Sequence, residues 1–99
     1  METKDFQQKI LEYSRKWDKK RKVTANEQST FIHVVEEAGE LAREFVNRES
    51  RQDRYSEEKL NDAIIDAMAQ LIVLASLRNL DIEAEMMKVI EESTRRDLL

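Results

Sequence analysis

The chain of 99 residues has no cysteine and no proline, and its one glycine is Gly39. The absence of cysteine excludes a disulfide scaffold and suits a reducing compartment. Without proline, and with one glycine, the sequence lacks the residues that mark frequent tight turns. We therefore expect a cytoplasmic protein that is not rich in turns.

Long hydrophobic runs are also missing. The amino-terminal segment METKDFQQKI has no apolar core of a signal peptide. The most apolar stretch, Ala63 to Leu77, is interrupted by Asp66, Gln70 and Ser76. These features predict a soluble protein without a membrane partner.

Chain length and net charge restrict the class of protein further. A chain this short buries only about 60–70% of its unfolded surface, so we predict one domain, residues 1–99. The net charge of −4 disfavours binding to nucleic-acid backbone as the main role. A basic run from Arg15 to Lys22 could bind a polyanion, although such runs more often form a solvated helix end.

Apolar residues recur at helical spacing in four segments, which predicts an all-α protein. The first helix covers about 5–20. The second begins at a capping box formed by Thr24 and Glu27, and the polar stretch 47–55 after it reads as a loop. Ser56 caps the third helix, which runs to about 79, and Asp81 caps a fourth that runs to about 96.

Amphipathic patterns predict the buried face of each helix. The predicted inner face of helix four is Ile82, Met86, Val89 and Ile90, and that of helix two is Phe31, Val34, Val35, Ala38, Leu41, Ala42, Phe45 and Val46. Helix three is apolar around nearly its whole circumference, which one four-helix chain would struggle to cover. We therefore predict a four-helix chain that forms an oligomeric helical bundle, a homodimer or homotetramer.

Carboxylates recur on helices two and three at spacings that place them on shared faces. Helix two carries Glu36, Glu37 and Glu40, and helix three carries Asp62 and Asp66. On a helical wheel, an acidic stripe lies beside and behind the predicted apolar face of helix two: His33, Glu37, Glu40 and Glu44. An unpaired Asp66 buried in this apolar stretch would cost several kcal/mol, so it needs a partner. That partner is a Lys or Arg, Gln70 one turn later, or a hard cation such as Mg²⁺ or Mn²⁺.

Two segments resemble the MazG-like, all-α nucleoside triphosphate pyrophosphatases. They are HVVEEAGELAREF on helix two and DAIIDAMAQLIVLASLRNLDI on helices three and four. The family pattern is ExxE on one helix and ExxD on the next. Glu37 and Glu40 match the first motif and Asp66 matches the aspartate of the second. Where the family has the second-motif Glu, this chain has Ala63, with Asp62 one residue earlier.

The resemblance implies hydrolysis of a nucleoside triphosphate to the monophosphate and pyrophosphate, with Mg²⁺, or Mn²⁺, as the cofactor. It implies Glu37, Glu40 and Asp66 as metal ligands, and Asp62 could replace the missing one. Glu36 is the candidate that positions or deprotonates the attacking water. The candidates for substrate binding are Lys88, Arg95 and Arg96 on helix four, together with His33.

Alternatives remain open for several of these residues and for the function. Exposed Lys or Arg near a helix end usually complements the helix dipole, and a lone His is most often a surface residue. Because Ala63 removes one expected ligand, the second functional hypothesis is a non-catalytic helical module of the same fold. Such a module would bind a nucleotide or a partner helix.

Overall fold

The computed structural model describes residues 1–98, with side chains for 1–96, and it confirms the all-α prediction. Helix α1 covers Thr3–Arg21, α2 covers Glu27–Ser50, α3 covers Glu57–Leu77 and α4 covers Ile82–Leu98. The described part of the chain contains no strand. Helices α2 and α3 form an antiparallel pair, α1 packs against α3, and α4 packs against α1.

Local capping explains where the helices begin. Ser56 Oγ accepts a hydrogen bond from Lys59 N at 3.1 Å, and Asp81 Oδ1 accepts one from Ala84 N at 3.2 Å, which confirms both predicted caps. The predicted capping box at Thr24 is wrong. Asn26 and Ser29 form the box instead, because the side chain of each accepts the backbone N–H of the other, at 2.8 and 2.9 Å.

The predicted loop 47–55 is shorter than expected. α2 continues for one more turn to Ser50, and a 3₁₀ turn over Gln52–Arg54 leads to the Ser56 cap. This compact connection folds α3 back along α2. It also brings the carboxyl end of α2 beside the amino end of α3, which is where the candidate site lies.

Gln7 joins α1 to the turn between α3 and α4. Its side-chain amide donates hydrogen bonds to Ser76 Oγ at 3.1 Å and to the Leu80 carbonyl at 2.7 Å. Its side-chain carbonyl accepts from Ile82 N at 3.3 Å, in the first turn of α4. Gln7 is buried, so these bonds fix the direction in which α4 leaves the bundle.

The basic run forms the carboxyl end of α1. Lys20 and Arg21 each lie 5.2 Å from the centre of the Trp17 ring. The helix ends at Lys22, whose φ of 59° is left-handed. Asp18 then accepts a hydrogen bond from Ala25 N at 3.2 Å, which holds the connection to α2 in place.

Much of the predicted core faces outward in the single chain. On α2, Phe31, Val35, Phe45 and Val46 are exposed, whereas Thr30, Glu44 and Asn47 are buried. Ala38 and Ala42 are exposed too, so the predicted inner face of helix two is wrong within the single chain for six of its eight residues, because the side of α2 with Thr30, Glu44 and Asn47 packs on α3. The same correction applies to α4, where Met86, Val89 and Ile90 are exposed.

By length and composition alone, α3 could cross a membrane, with a mean hydropathy of 1.5 over its most apolar window. The core helix of a soluble protein passes the same test. Here α3 packs along α2 and buries Leu60, Ala63 and Val73 inside the chain. Its composition therefore fits the central helix of a bundle as well as it fits a membrane span.

Candidate functional site between α2 and α3

The contact between α2 and α3 contains polar groups that a helical core normally excludes. Thr30 is 1% exposed and its hydroxyl has no hydrogen-bond partner among the described residues. Glu44 is 7% exposed on the same side of α2. The acidic stripe lies beside the apolar stripe of α2, as the sequence predicts, but Glu44 in that stripe is buried against the rest of the chain and does not face solvent.

Glu44 connects the end of α2 to the start of α3, and its contacts with Asn47 and Ser56 form a brace between the two helices. Its Oε1 accepts a hydrogen bond from Asn47 Nδ2 at 3.2 Å, and its Oε2 lies 3.4 Å from Ser56 N, which donates to it. These bonds compensate for the burial of the Glu44 carboxylate and connect α2 to the cap of α3. Glu44 belongs to the predicted acidic stripe but not to the predicted site, although it lies one turn after Glu40 and shares its face.

A groove of about 530 Å³ opens beside this brace. Both helices and the 3₁₀ turn contribute to its walls, which carry acidic and basic side chains together. Three of the predicted site residues, Glu40, Asp62 and Asp66, lie in one groove with Ala63. The remaining lining residues are Arg43, Glu44, Asn47, Arg54 and Lys59.

Glu37 lies next to the acidic part of the groove. Burial raises the pKa of its carboxyl group. The negative charges of Glu40 and Asp66, a side-chain hydrogen bond with Glu40 and the charge of Glu36 raise this pKa further. One of its oxygens, Oε2, is buried and meets no hydrogen-bond donor among the described residues. When Glu37 is ionised, its buried Oε2 therefore lacks a donor or cation that would stabilise the charge.

Asp66 is exposed, so the prediction that it needs a partner to compensate for burial is wrong. The apolar residues around it in the sequence point to other sides of α3, while Asp66 itself points into the open groove. It forms no salt bridge within the described side chains. Among the side chains of residues 1–96, neither Gln70 nor a basic residue pairs with the Asp66 carboxylate.

These residues fit a hard cation by the chemistry of their donor atoms. Carboxylate oxygens are the ligands that Mg²⁺ and Mn²⁺ prefer, and the orphaned oxygen of Glu37 would gain a partner. Within residues 1–96, no three His, Asp or Glu side chains are already gathered as a group that could hold an ion. Binding would therefore require rotation of the exposed Asp62 and Asp66 side chains toward α2.

Ala63 lies at the position where the resemblance places a glutamate. It is 4% exposed and forms part of the groove wall. Asp62, beside it, lines the same groove but is exposed. The Ala63 side chain therefore faces the groove, but its methyl group cannot act as a metal ligand.

The basic residues of the groove were not predicted. Arg43, Arg54 and Lys59 line it, and none of them forms a salt bridge within the described side chains. Lys59 could have been found, since it precedes Asp62 by three residues and Asp66 by seven on one helical face. Arg54 could not have been found from the sequence, because its position in the groove depends on the 3₁₀ turn.

The other predicted residues lie outside the groove. His33 Nδ1 is 3.6 Å from Glu36 Oε2, and both side chains are exposed on α2. On α4, Lys88 lies 3.5 Å from Glu85, and Arg95 and Arg96 are exposed. Because α4 packs on α1, these three cations are not among the groove-lining residues of their own chain.

No family model, curated protein or solved structure matches the chain. The resemblance to the MazG-like pyrophosphatases therefore depends on the motif residues alone. The candidate site itself is defined by the groove between α2 and α3, where carboxylates lie beside basic side chains that form no salt bridge among the described residues.

Proposed function

We propose that the protein is a Mg²⁺-dependent nucleoside triphosphate pyrophosphohydrolase of the cytoplasm. The observation that carries the proposal is the groove between α2 and α3. There, carboxylates from both helices share one surface with three basic residues that do not pair with them. A ligand that combines a cation with a polyanion, such as Mg²⁺ with a triphosphate, satisfies both sets of charges.

Glu37, Glu40 and Asp66 would hold the cation, with Asp62 in place of the ligand missing at Ala63. When bound, Mg²⁺ or Mn²⁺ would neutralise phosphate charge and orient the phosphoryl group for in-line attack. Glu36 is the candidate for positioning the attacking water, since its charge acts on Glu37 and its exposed carboxylate is accessible. His33 lies 3.6 Å from Glu36, one turn before it, and is a candidate for contact with the base.

Arg43, Arg54 and Lys59 would bind the phosphates. A guanidinium group can make two parallel hydrogen bonds to phosphate oxygens, and an ammonium group supplies a point charge. Arg54 and Lys59 lie at the end of the groove formed by the 3₁₀ turn and the amino end of α3. The phosphates would therefore extend toward this turn, which also adds the positive end of the α3 dipole.

A second candidate function is supported by Ala63. With a methyl group at a position that faces the groove, the chain could bind a nucleotide and Mg²⁺ without hydrolysing the nucleotide. Such a protein would keep the phosphate contacts and would release no pyrophosphate.

Product analysis with a panel of nucleoside triphosphates, with and without Mg²⁺, tests the proposal. We expect monophosphate and pyrophosphate in equal amounts, and only when Mg²⁺ is present. The Arg54→Ala variant should lose at least about tenfold in kcat/KM, or about 1.4 kcal/mol of transition-state stabilisation. The matched control is Arg51→Ala, since Arg51 is exposed in the same connection and does not line the groove.

Diphosphate and inorganic phosphate as products would contradict the proposed bond cleavage. Nucleotide binding without any hydrolysis would favour the non-catalytic module. Equal losses in the Arg51 and Arg54 variants would contradict the assignment of the phosphate site.

A further inference from the structure

The walls of the groove between α2 and α3 are almost entirely polar. Of its nine described lining residues, eight carry a charged or amide side chain, and the one apolar member is Ala63. Sites that bind a flat organic group usually offer it apolar or aromatic surface, with a few polar groups that fix its orientation. This groove has the opposite composition, which suits the charged part of a ligand.

Aromatic side chains, on which a nucleobase could stack, lie elsewhere in the chain. All six aromatic residues belong to the part that the structure describes, and none of them lines the groove: Phe6, Tyr13, Trp17, Phe31, Phe45 and Tyr55. Phe45 directly follows Glu44, but its ring lies against Arg48, whose guanidinium carbon is 4.8 Å from the ring centre. Stacking of a base on an aromatic ring raises affinity by about fivefold or more, and the groove supplies no such gain.

The charges of the groove are separated along its length. Arg54, in the 3₁₀ turn, and Lys59, in the first turn of α3, form one end. Asp66 lies seven residues after Lys59, or about 10.5 Å along α3, and Glu40 lies about 15 Å before the end of α2. Because the helices run antiparallel, the cations and these two carboxylates occupy opposite ends. A complementary ligand has a metal ion at one end and an anionic chain that extends toward the other.

The balance of charge requires the metal ion and the anionic chain to bind together. The lining residues include three cations and four carboxylates, and one of the carboxylates, Glu44, already accepts hydrogen bonds from Asn47 and Ser56. A polyanion without its metal ion would be repelled by the remaining carboxylates. The site therefore suits a polyphosphate that carries Mg²⁺.

We propose that the groove recognises the Mg²⁺-bound triphosphate chain itself and not the base, so that inorganic triphosphate is a ligand of the same site. This assignment rests on the proposed function and names its ligand class, which is a triphosphate with or without a nucleoside. His33, the candidate for contact with a base, is exposed and does not line the groove. A contact made there is open to solvent and adds little affinity.

Titration calorimetry of the wild-type chain measures this recognition independently of turnover. The ligands are inorganic triphosphate and the α,β-methylene analogues of ATP, GTP, CTP and UTP, in which the bond between the α and β phosphates stays intact. With excess Mg²⁺, we expect the four analogues to bind within about fivefold of one another, and none more than about fivefold tighter than inorganic triphosphate. In EDTA, inorganic triphosphate should not bind.

A pair of variants places both ligands in the groove. Arg54→Ala should weaken inorganic triphosphate and the ATP analogue by the same factor, at least about tenfold, because both ligands use the same phosphate contact. The matched control, Arg51→Ala, should weaken neither, since Arg51 is exposed in the same connection and does not line the groove. Binding of inorganic triphosphate that is unchanged in Arg54→Ala would overturn the proposal.

The results also separate this proposal from the proposed function. An analogue that binds more than about fivefold tighter than inorganic triphosphate, or than the analogues of the other bases, would overturn base-independent recognition even if nucleotides are hydrolysed. Matched affinities in a protein that hydrolyses no nucleoside triphosphate would contradict the proposed function and support the present inference. The absence of binding by every one of these ligands would overturn both.

Discussion

At the scale of single residues, Ala63 and Asp62 decide whether the groove can act as a metal site for hydrolysis. They are neighbours on α3 and both line the groove, but only Asp62 carries a carboxylate. If Asp62 supplies the missing ligand, Asp62→Ala should lower Mg²⁺-dependent kcat/KM by at least about tenfold. Ala63→Glu should preserve or raise activity, because it restores the ExxD spacing.

The structure adds a condition to this prediction. The Ala63 position is buried, so a glutamate there adds a negative charge among Glu37, Glu40 and Asp66. Ala63→Glu should therefore unfold at a lower temperature than wild type in EDTA, and Mg²⁺ should reduce that difference. Wild-type and Ala63→Glu proteins that fold and bind nucleotide, and that both release no pyrophosphate, would contradict the enzyme hypothesis and favour the non-catalytic module.

Glu37 should make the stability of the metal-free protein depend on pH. The pKa of its carboxyl group is raised above the ordinary value of 4.5, first by burial and then by Glu40 and Asp66. Below the ordinary pKa the group is neutral in both the folded and unfolded states. As pH rises through the raised pKa, the folded state must ionise it at a cost, and stability is lost.

The Glu37→Gln variant isolates this effect, because glutamine imitates the neutral carboxyl group. In EDTA, its melting temperature relative to wild type should increase as pH rises from about 4 to about 8, across the interval above the ordinary carboxyl pKa. Addition of Mg²⁺ at neutral pH should stabilise wild type more than the variant. A difference in melting temperature that is constant with pH would contradict the raised pKa.

At the scale of helices, Gln7 sets the direction of α4. Its side chain satisfies groups at the end of α3, in the following turn and at the start of α4. Gln7→Met should lower the free energy of unfolding by roughly 2–3 kcal/mol, because it leaves these partly buried partners without their bonds. Urea denaturation measures this loss.

The neighbouring Gln8→Met variant is the matched control. Gln8 is exposed and bonds only to Glu12 within α1 among the described residues, at 3.3 Å. We expect it to change stability by less than about 0.5 kcal/mol. Similar losses for both variants would show that Gln7 does not connect the helices in the way proposed here.

Helix positions were largely predictable because their signals are local. Ser56 and Asp81 cap helices where the sequence indicates, while Asn26 replaces Thr24 because two candidate caps lie within one turn. The sequence also indicates the apolar stripe of α2. Its burial was not predictable, since a helical wheel shows which residues share a face but does not show whether the same chain covers it.

At the scale of the whole molecule, the chain has two different sides. One side of the α2 and α3 pair is apolar, and the other carries the groove with its carboxylates and cations. The sequence could indicate the carboxylates from their spacing, and Glu40, Asp62 and Asp66 do share the groove. Arg54 and the brace at Glu44 depend on how the 3₁₀ turn closes, which no local pattern encodes.

The central claim is that this groove is a carboxylate metal site. The most direct test of it is the binding of Mn²⁺ in place of Mg²⁺. The paramagnetic resonance signal of free Mn²⁺ measures how much ion the protein binds, independently of activity. We expect at least one Mn²⁺ per chain, displaced by Mg²⁺ and lost when Glu40→Gln and Asp66→Asn are combined. The control that removes two charges from α4, Glu83→Gln with Glu92→Gln, should bind as wild type does. Undiminished binding in the groove variant, or no binding by wild type at millimolar Mn²⁺, would contradict the account.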